Sequence, residues 1–210
     1  MEGIDLFEEK DLYILCDKLA STDPDLKGIL SQYGYPPFWS RPASFETLVH
    51  IILEQQVSLA SALAALNKLK LAVDIISPQN ILPLTNETLK ACYFSRQKIS
   101  YVKHLATEII SGNLTLSALE AISNKEVIKE LTKIKGIGTW SATVYLMMVL
   151  HRSDLFPMSD IALISSVRET KDLSKDISKE AIEKLSEQWK PYRTIAAFIL
   201  WHGYLCKRKR

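Results

Sequence analysis

One acidic residue, Asp160, stands where a carboxylate could take part in chemistry. It lies in the segment LFPMSDIALISSV, three residues after Pro157 and directly before a helical pattern of apolar residues. We expect it at or near a helix N-terminus, where the helix dipole favours the ionised form of a carboxylate. An ionised carboxylate can stabilise a cation or orient a water molecule. The alternative is a plain N-cap, which requires no chemistry.

A second segment, LTKIKGIGTWSA, contains Gly136 and Gly138 between two helical patterns. Glycine costs roughly 1 kcal/mol relative to alanine inside a helix, so the pattern predicts a turn. Both glycines allow positive φ, and the next helix, starting near Thr139, begins with unpaired N–H groups. Lys133 and Lys135 add positive charge. We expect this turn to hold a phosphate group; the alternative is a glycine-containing corner without a ligand.

The elements that must position these segments are helical nearly throughout. In the run from Phe45 to Leu53, apolar residues recur at the spacing of one helix face, and Ser44 is a suitable N-cap. Strict alternation of apolar and polar residues is hard to find. The sequence therefore predicts an all-α protein with about ten helices of ordinary length.

Proline-rich and polar segments divide the chain. They indicate one helical lobe at 43–150, which contains the hairpin 131–142, and a second lobe from 1–42 plus 151–210. We treat 1–210 as a single domain. A cleft between two such lobes is a usual place for a binding site.

Composition excludes several classes of protein. The 210 residues are 47% hydrophobic and 24% charged with a net charge of +2, which fits a folded globular protein. No apolar run approaches the ~18 residues of a membrane span, and no signal peptide is visible. Cys16, Cys92 and Cys206 lack metal-ligand spacing, so we expect a reducing compartment. The basic tail 207–210 either contacts DNA or is a solvated end.

The pattern Leu-x-x-Ile-x-Gly-Ile-Gly-x-x-x-Ala, beginning at Leu131, resembles the helix-hairpin-helix element used for DNA binding without sequence preference. Asp160 follows Gly138 by 22 residues, and together they resemble the helix-hairpin-helix DNA glycosylase superfamily. The segments 45–62 and 189–204 are similar to the long early helix and the closing helix of its 3-methyladenine DNA glycosylase II branch. The resemblance covers roughly residues 35 to 205.

This resemblance implies that Asp160 is the catalytic residue. It would stabilise the sugar cation formed when the N-glycosidic bond of a flipped-out base breaks. Glycosidases that cleave sugar–oxygen bonds normally need a second carboxyl group to protonate the leaving group. An N-alkylated purine is already cationic, so one aspartate is enough.

The resemblance also implies an aromatic pocket that stacks on the electron-poor base. Its candidates are Trp140 and Trp201, followed by Trp39 and Tyr145. Val144 departs from the aromatic positions of the family, which changes the expected pocket shape. Core packing is the alternative for each tryptophan.

Bifunctional members of the superfamily have a Schiff-base lysine two residues after the second glycine, and here that position is Trp140. We therefore expect release of the base without cleavage of the abasic strand. Cys206 is the only cysteine in the C-terminal region, so the four-cysteine iron–sulfur cluster of some relatives is not expected. No metal or other cofactor is predicted.

Two further segments are candidates for DNA contact. The segment YFSRQK is similar to the wedge loop of the family, which puts Ser95 or Arg96 at the intercalating point. Gln55 or Gln56 could reach the orphaned base; the alternative is an exposed helix face. His50 and His104 are interpreted as packing or surface residues.

The sequence therefore predicts a monofunctional DNA glycosylase of base excision repair that acts on alkylated purines such as 3-methyladenine. Its partner would be damaged double-stranded DNA, bound by a monomer in the nucleoid or the nucleus according to the organism. The alternatives are a glycosylase for other damaged or mismatched bases and a catalytically silent DNA-binding module.

Overall fold

The computed structural model describes residues 5–208. Over this range the chain is helical and forms no β-strand; Leu6 and Arg152 make an isolated antiparallel bridge. The α-helices are α1 (Leu12–Thr22), α2 (Pro24–Tyr33), α3 (Phe45–Glu54), α4 (Leu59–Val73), α5 (Pro78–Ile81), α6 (Asn86–Ala91), α7 (Arg96–Ile110), α8 (Asn124–Thr132), α9 (Thr139–Met148), α10 (Ile161–Thr170), α11 (Lys179–Ser186) and α12 (Arg193–Lys207). The all-α prediction is confirmed. The described residues form twelve α-helices, against about ten of ordinary length predicted, and two of the twelve, α5 and α6, have only four and six residues.

The chain separates into two compact units. The first unit joins the N-terminal residues up to Ser40 with the C-terminal residues from Leu146 onward, and the second is 41–145. The predicted lobe boundaries were 43 and 150, so residues 41–42 and 146–150 lie in a different unit from the one expected.

Helix α12 lies at the centre of the first unit, where it packs against α1, α2 and α10. Its residues from Thr194 to Leu200 are all fully buried, which explains why this helix is apolar on every side. A backbone carbonyl of the same helix, that of Leu200, accepts a hydrogen bond from Ser166 of α10 at 2.7 Å. Helices α10 and α12 are therefore fixed against each other.

Helices α3 and α7 organise the second unit. Helix α3 begins at the predicted N-cap, Ser44, whose hydroxyl accepts the Thr47 N–H at 3.2 Å. Arg41 makes a two-pronged ion pair with Glu54 at 2.7 and 2.8 Å, close to the other end of α3. The side chain of Lys98 on α7 donates to the carbonyl of Leu53 at 2.7 Å. These contacts hold the C-terminal end of α3 and the turn that follows it.

Within the described range, no helix is both long enough and apolar enough to cross a membrane.

Candidate active site

Asp160 is the N-cap of α10. Its backbone is extended, and its Oδ1 accepts the backbone N–H of Leu163 at 2.7 Å. The chain is prepared for this start by Pro157, whose carbonyl accepts the Asp160 N–H at 2.9 Å. The helix start predicted at Asp160 is confirmed. Capping does not exclude chemistry, because Asp160 is only half-buried.

A second donor reaches the same oxygen. The indole Nε1–H of Trp201 on α12 donates to Asp160 Oδ1 at 3.1 Å. Trp201 is 8% exposed, and its ring packs in a cluster with Trp39 and Phe198. The structure thus brings Asp160, Trp201 and Trp39 together within the first unit. Trp201 contacts the carboxylate with its indole edge, while Trp39 is half-buried.

The residue after Asp160 was not singled out by the sequence. Ile161 is the first residue of α10, and its side chain is 86% exposed. Burying an isoleucine side chain is favourable by roughly 2 kcal/mol relative to leaving it in water. Its position at a helix start beside Asp160 makes it a candidate contact for a bound base.

The hairpin between α8 and α9 does not use its two glycines in the same way. Gly136 has φ +87°, whereas Gly138 is not among the positive-φ residues. A Cβ at Gly136 would lie 2.1 Å from Cγ of Tyr101, but a Cβ at Gly138 would meet nothing within 4 Å. Both glycines allow positive φ, as expected, but only Gly136 adopts it. Its missing side chain instead leaves open space at the start of α9, where its carbonyl accepts the Ala142 N–H.

Helix α7 contacts the hairpin through two side chains, those of Tyr101 and His104. Lys98, Tyr101 and His104 follow one another every three residues, so they share one face of α7. Tyr101 packs on Gly136, and His104 Nδ1 accepts the Lys135 N–H at 3.2 Å. His104 therefore positions the hairpin, which is one form of the packing role among the two interpretations, packing or surface, given for it from the sequence. The spacing of the three side chains in KISYVKH places them on neighbouring turns of α7, but it does not indicate that they meet the hairpin.

The hairpin is also anchored through apolar contacts and one amide. Ile134 and Ile137 are 3% and 4% exposed, as expected for residues that pin the two helices together. Gln55, directly after α3, donates from Nε2 to the carbonyl of Gly136 at 2.8 Å and to Ser141 Oγ at 3.0 Å. Gln55 thus ties the α3–α4 turn to the hairpin.

The polar residues of the hairpin are exposed. Lys133, Lys135, Gly138 and Thr139 all face solvent. The ammonium of Lys133 is 2.6 Å from Glu130 Oε2 in a surface ion pair, so part of its charge is compensated. Such pairs are worth little in water and are easily exchanged for a stronger anion.

The two neighbouring glutamines, Gln55 and Gln56, differ in burial and in backbone conformation. Gln56 is exposed and has φ +58°, an uncommon backbone conformation for a residue with a side chain. Val57 and Leu59, the apolar residues next to it, are 46% and 57% exposed. Gln55 is held inside the protein while Gln56 points outward, so Gln56 is the better candidate for contact with a base.

The predicted wedge loop lies between α6 and α7. Ser95 is the N-cap of α7 and accepts the Lys98 N–H at 3.2 Å, which occupies its hydroxyl in the helix start. Arg96 is the first residue of α7 and is exposed. Tyr93, which was not among the predicted intercalating residues, is 64% exposed with φ +66°. It is the large apolar side chain of this loop that faces solvent.

Trp140 and Tyr145 lie on α9. Trp140 is half-buried, but Tyr145 and Val144 are buried at 0% and 2% exposure. Burial raises the pKa of Tyr145 to about 12. A base could stack on Tyr145 only after the ring left the core, so its role in a base pocket stays a prediction without geometric support.

The basic tail is partly compensated. Lys207 lies 2.8 Å from Glu169, and Arg208 contacts the same carboxylate, which lowers the pKa of Glu169 to about 2. Lys209 and Arg210 lie outside the described residues, so contact with DNA and a solvated end both stay open for the end of the tail. Among residues 5–208, no three side chains of His, Cys, Asp or Glu are grouped to hold a metal ion.

Comparison with known proteins identifies the family. The profile of the HhH-GPD superfamily, described as base excision DNA repair proteins, matches residues 49–191. DNA-3-methyladenine glycosylase 1 of Schizosaccharomyces pombe is 32% identical, over 94% of this chain and 92% of its own.

Two solved structures share the fold. The S. pombe 3-methyladenine DNA glycosylase Mag1 in complex with abasic DNA has a TM-score of 0.82 and 32% identity, with 89% of this chain and 94% of that chain covered. A DNA-3-methyladenine glycosidase from Bacillus halodurans has a TM-score of 0.74 and 27% identity, covering 93% and 91%. The chain belongs to the HhH-GPD superfamily of base excision DNA repair proteins.

Proposed function

We propose that this protein is a DNA glycosylase of base excision repair that hydrolyses the N-glycosidic bond of alkylated purines. Asp160 carries the proposal, because it is a carboxylate held at a helix start by Leu163 N–H and Trp201 Nε1–H in a chain of this superfamily. The names of the similar proteins, DNA-3-methyladenine glycosylases, support the substrate class.

The chemistry asks one task of Asp160. When the bond between C1′ and the base nitrogen breaks, the bonding electrons leave with the base and the sugar becomes an oxocarbenium ion. A fixed negative charge beside that cation lowers the barrier without rearranging at the moment of reaction. Water then adds to C1′ and loses a proton, for which the carboxylate is a suitable acceptor. An N-alkylated purine is a cation before cleavage and departs neutral, so no second acid has to protonate it.

The hairpin supplies affinity for DNA of any sequence. Gly138 leaves open space at the N-terminus of α9, and a phosphate there would meet backbone N–H groups and the positive end of the helix dipole. Lys135 adds charge, and its backbone is fixed through His104. Such contacts bind phosphate without reading bases, so affinity should fall with salt.

Trp140 supports the absence of strand cleavage. A lyase needs an amine that attacks C1′ and forms a Schiff base, and an indole cannot do this. We propose that Trp140 instead stacks on the base or the sugar, and that the product is an intact strand with an abasic site. We further propose that the protein acts as a monomer where its DNA substrate is, in the nucleoid or the nucleus.

The test is base release by the purified protein from duplexes containing 3-methyladenine, hypoxanthine or a G·T mismatch. We expect release of the methylated base with strand breaks only after alkali. Release confined to hypoxanthine or to the mismatch would replace the proposed substrate class. Strand breaks without alkali, together with a borohydride-trapped adduct, would overturn the monofunctional assignment. Tight binding to abasic DNA without any base release would show a binding module.

A further inference from the structure

We propose that Trp201 is a positioning residue that fixes the orientation of the Asp160 carboxylate through its indole N–H. The proposal rests on the proposed function, since it concerns the same carboxylate. It differs from the sequence-based expectation that Trp201 stacks on the base, because the contact that the structure gives Trp201 is made by the ring edge.

Two donors meet at one oxygen of Asp160. The Leu163 N–H at 2.7 Å comes from the first turn of α10, and the Trp201 Nε1–H at 3.1 Å comes from α12. The bond from Leu163 is the N-cap contact of α10, and the bond from Trp201 adds a second restraint on rotation about the Cβ–Cγ bond of Asp160. Because both donors are on Oδ1, such a turn would break two hydrogen bonds. The direction of Oδ2 is therefore fixed as well.

The indole itself has little freedom to move. Its ring centroid lies 6.1 Å from that of Phe198 and 6.3 Å from that of Trp39. Trp39 in turn packs edge-on against Phe198 with centroids 5.3 Å apart. The adjacent carbonyl of Leu200 is bonded to Ser166, which ties this turn of α12 to α10. A donor held this firmly transmits its position to the carboxylate.

A fixed carboxylate matters because a charge stabilises a transition state best when it is already in place. A displacement of about 1 Å can reduce a rate by about a hundredfold without affecting substrate binding to the same extent. Removing the indole N–H should therefore slow the bond-breaking step and leave DNA affinity nearly unchanged. A residue that only stacks on the base would change binding and rate together.

The chain offers a matched control in the same unit. Trp189 is also buried, and its Nε1–H donates at 2.8 Å to Asp23 Oδ2, where Asp23 is the N-cap of α2. This is the same kind of tryptophan-to-cap contact at a different helix start. Trp189→Phe removes a tryptophan-to-cap hydrogen bond without touching Asp160, although Lys171 also holds both oxygens of Asp23. It therefore reports the effect of losing an indole N–H from the fold at a distance from Asp160.

The first experiment compares Trp201→Phe, Trp201→His and Trp189→Phe with the wild type. Single-turnover base release from methylated DNA and affinity for DNA with an uncleavable abasic analogue are both measured. The imidazole Nε2–H occupies the ring position of the indole Nε1–H, so His keeps a donor while Phe keeps more of the apolar bulk.

We expect Trp201→Phe to release the base about tenfold to a hundredfold more slowly, with abasic-DNA affinity changed less than about threefold. Trp201→His should be faster than Trp201→Phe, and Trp189→Phe should release the base at about the wild-type rate. If Trp201→Phe is as fast as the wild type or faster than Trp201→His, or if the loss lies in affinity, packing or stacking is the role and the proposal is wrong.

A second measurement does not depend on base release. In a ¹⁵N–¹H spectrum with the indole signals assigned, Asp160→Ala should move the Trp201 indole N–H more than that of Trp189. An unmoved Trp201 signal would refute the hydrogen bond. If the wild type releases no base but this signal moves, the proposed function fails while the contact between the two side chains stands.

Discussion

The two hairpin glycines give a demanding prediction, because replacing each with alanine should impair a different property, the stability of the fold at one position and DNA binding at the other. Gly136→Ala should destabilise the fold, whereas Gly138→Ala should leave the fold nearly intact and weaken DNA binding. The two positions differ in backbone conformation, since Gly136 has φ +87° and Gly138 does not have positive φ. They also differ in the space for a Cβ atom, which would collide with Tyr101 at Gly136 and would meet nothing within 4 Å at Gly138.

The magnitude for Gly136→Ala has two parts. Left-handed backbone costs an alanine about 1–2 kcal/mol. The added Cβ would also lie 2.1 Å from Tyr101 Cγ, which is the base of the ring rather than its mobile end. Moving a packed side chain in this way costs about 1–3 kcal/mol. The free energy of unfolding should therefore fall by about 2–5 kcal/mol, against less than about 1 kcal/mol for the cap change Gly138→Ala.

Urea unfolding measures the first quantity, and titration of an undamaged duplex measures the second. Gly138→Ala should lower affinity for all sequences alike, because the contact is with phosphate. Tyr101→Ala should restore part of the stability lost in Gly136→Ala, since it removes the atoms that the new Cβ would meet. The reasoning fails if both alanine variants lose equal stability, or if the Tyr101→Ala change adds its full cost to that of Gly136→Ala.

Three other predictions concern different parts of the chain. Gln55→Ala should lower the free energy of unfolding by about 1–3 kcal/mol because two partly buried hydrogen bonds are lost, while Gln56→Ala should weaken DNA binding at unchanged urea midpoint; the reverse order would contradict the assignment. Trp140→Ala should slow release of a cationic base more than that of neutral hypoxanthine, because a cation–π attraction of about 0.5–2 kcal/mol is lost; equal losses in the two release assays would point to packing. Burial raises the pKa of Asp23, but hydrogen bonds from Lys171 and other donors outweigh it and lower this pKa overall. The stability that Asp23 contributes is therefore present at neutral pH and lost as pH falls below about 4, so the gap between wild type and Asp23→Asn in urea unfolding should shrink there; a constant gap would show that charge is not involved.

The local features of this fold were predictable from the sequence. Ser44 and Asp160 cap helices because a short polar side chain before an apolar periodic run satisfies N–H groups only a few residues away. The turn at Gly136 and Gly138 was also predictable from neighbouring residues, because two closely spaced glycines are unfavourable inside a helix. Such signals involve neighbours in the chain and can be read without tertiary structure.

The contacts that position the candidate site were not predictable. Gln55 reaches Gly136 across 81 residues, Trp201 reaches Asp160 across 41, and His104 reaches Lys135 across 31. Each depends on which helix faces pack together, and no local pattern encodes that.

The unequal use of the two glycines has the same origin. Glycine permits positive φ at both position 136 and position 138. The chain adopts positive φ only at Gly136, where it passes over Tyr101. Residue type limits the possible conformations, and packing selects among them.

The measurement that tests the central claim most directly is single-turnover base release from methylated DNA by Asp160→Asn. Asparagine keeps the size of the side chain and an oxygen that can accept the Leu163 N–H, so the helix start and abasic-DNA binding should be kept. Only the charge is lost. Because each ~1.36 kcal/mol of lost transition-state stabilisation slows the reaction about tenfold, we expect release to fall by orders of magnitude. Release at near the wild-type rate by a folded, DNA-binding Asp160→Asn protein would show that Asp160 only caps the helix.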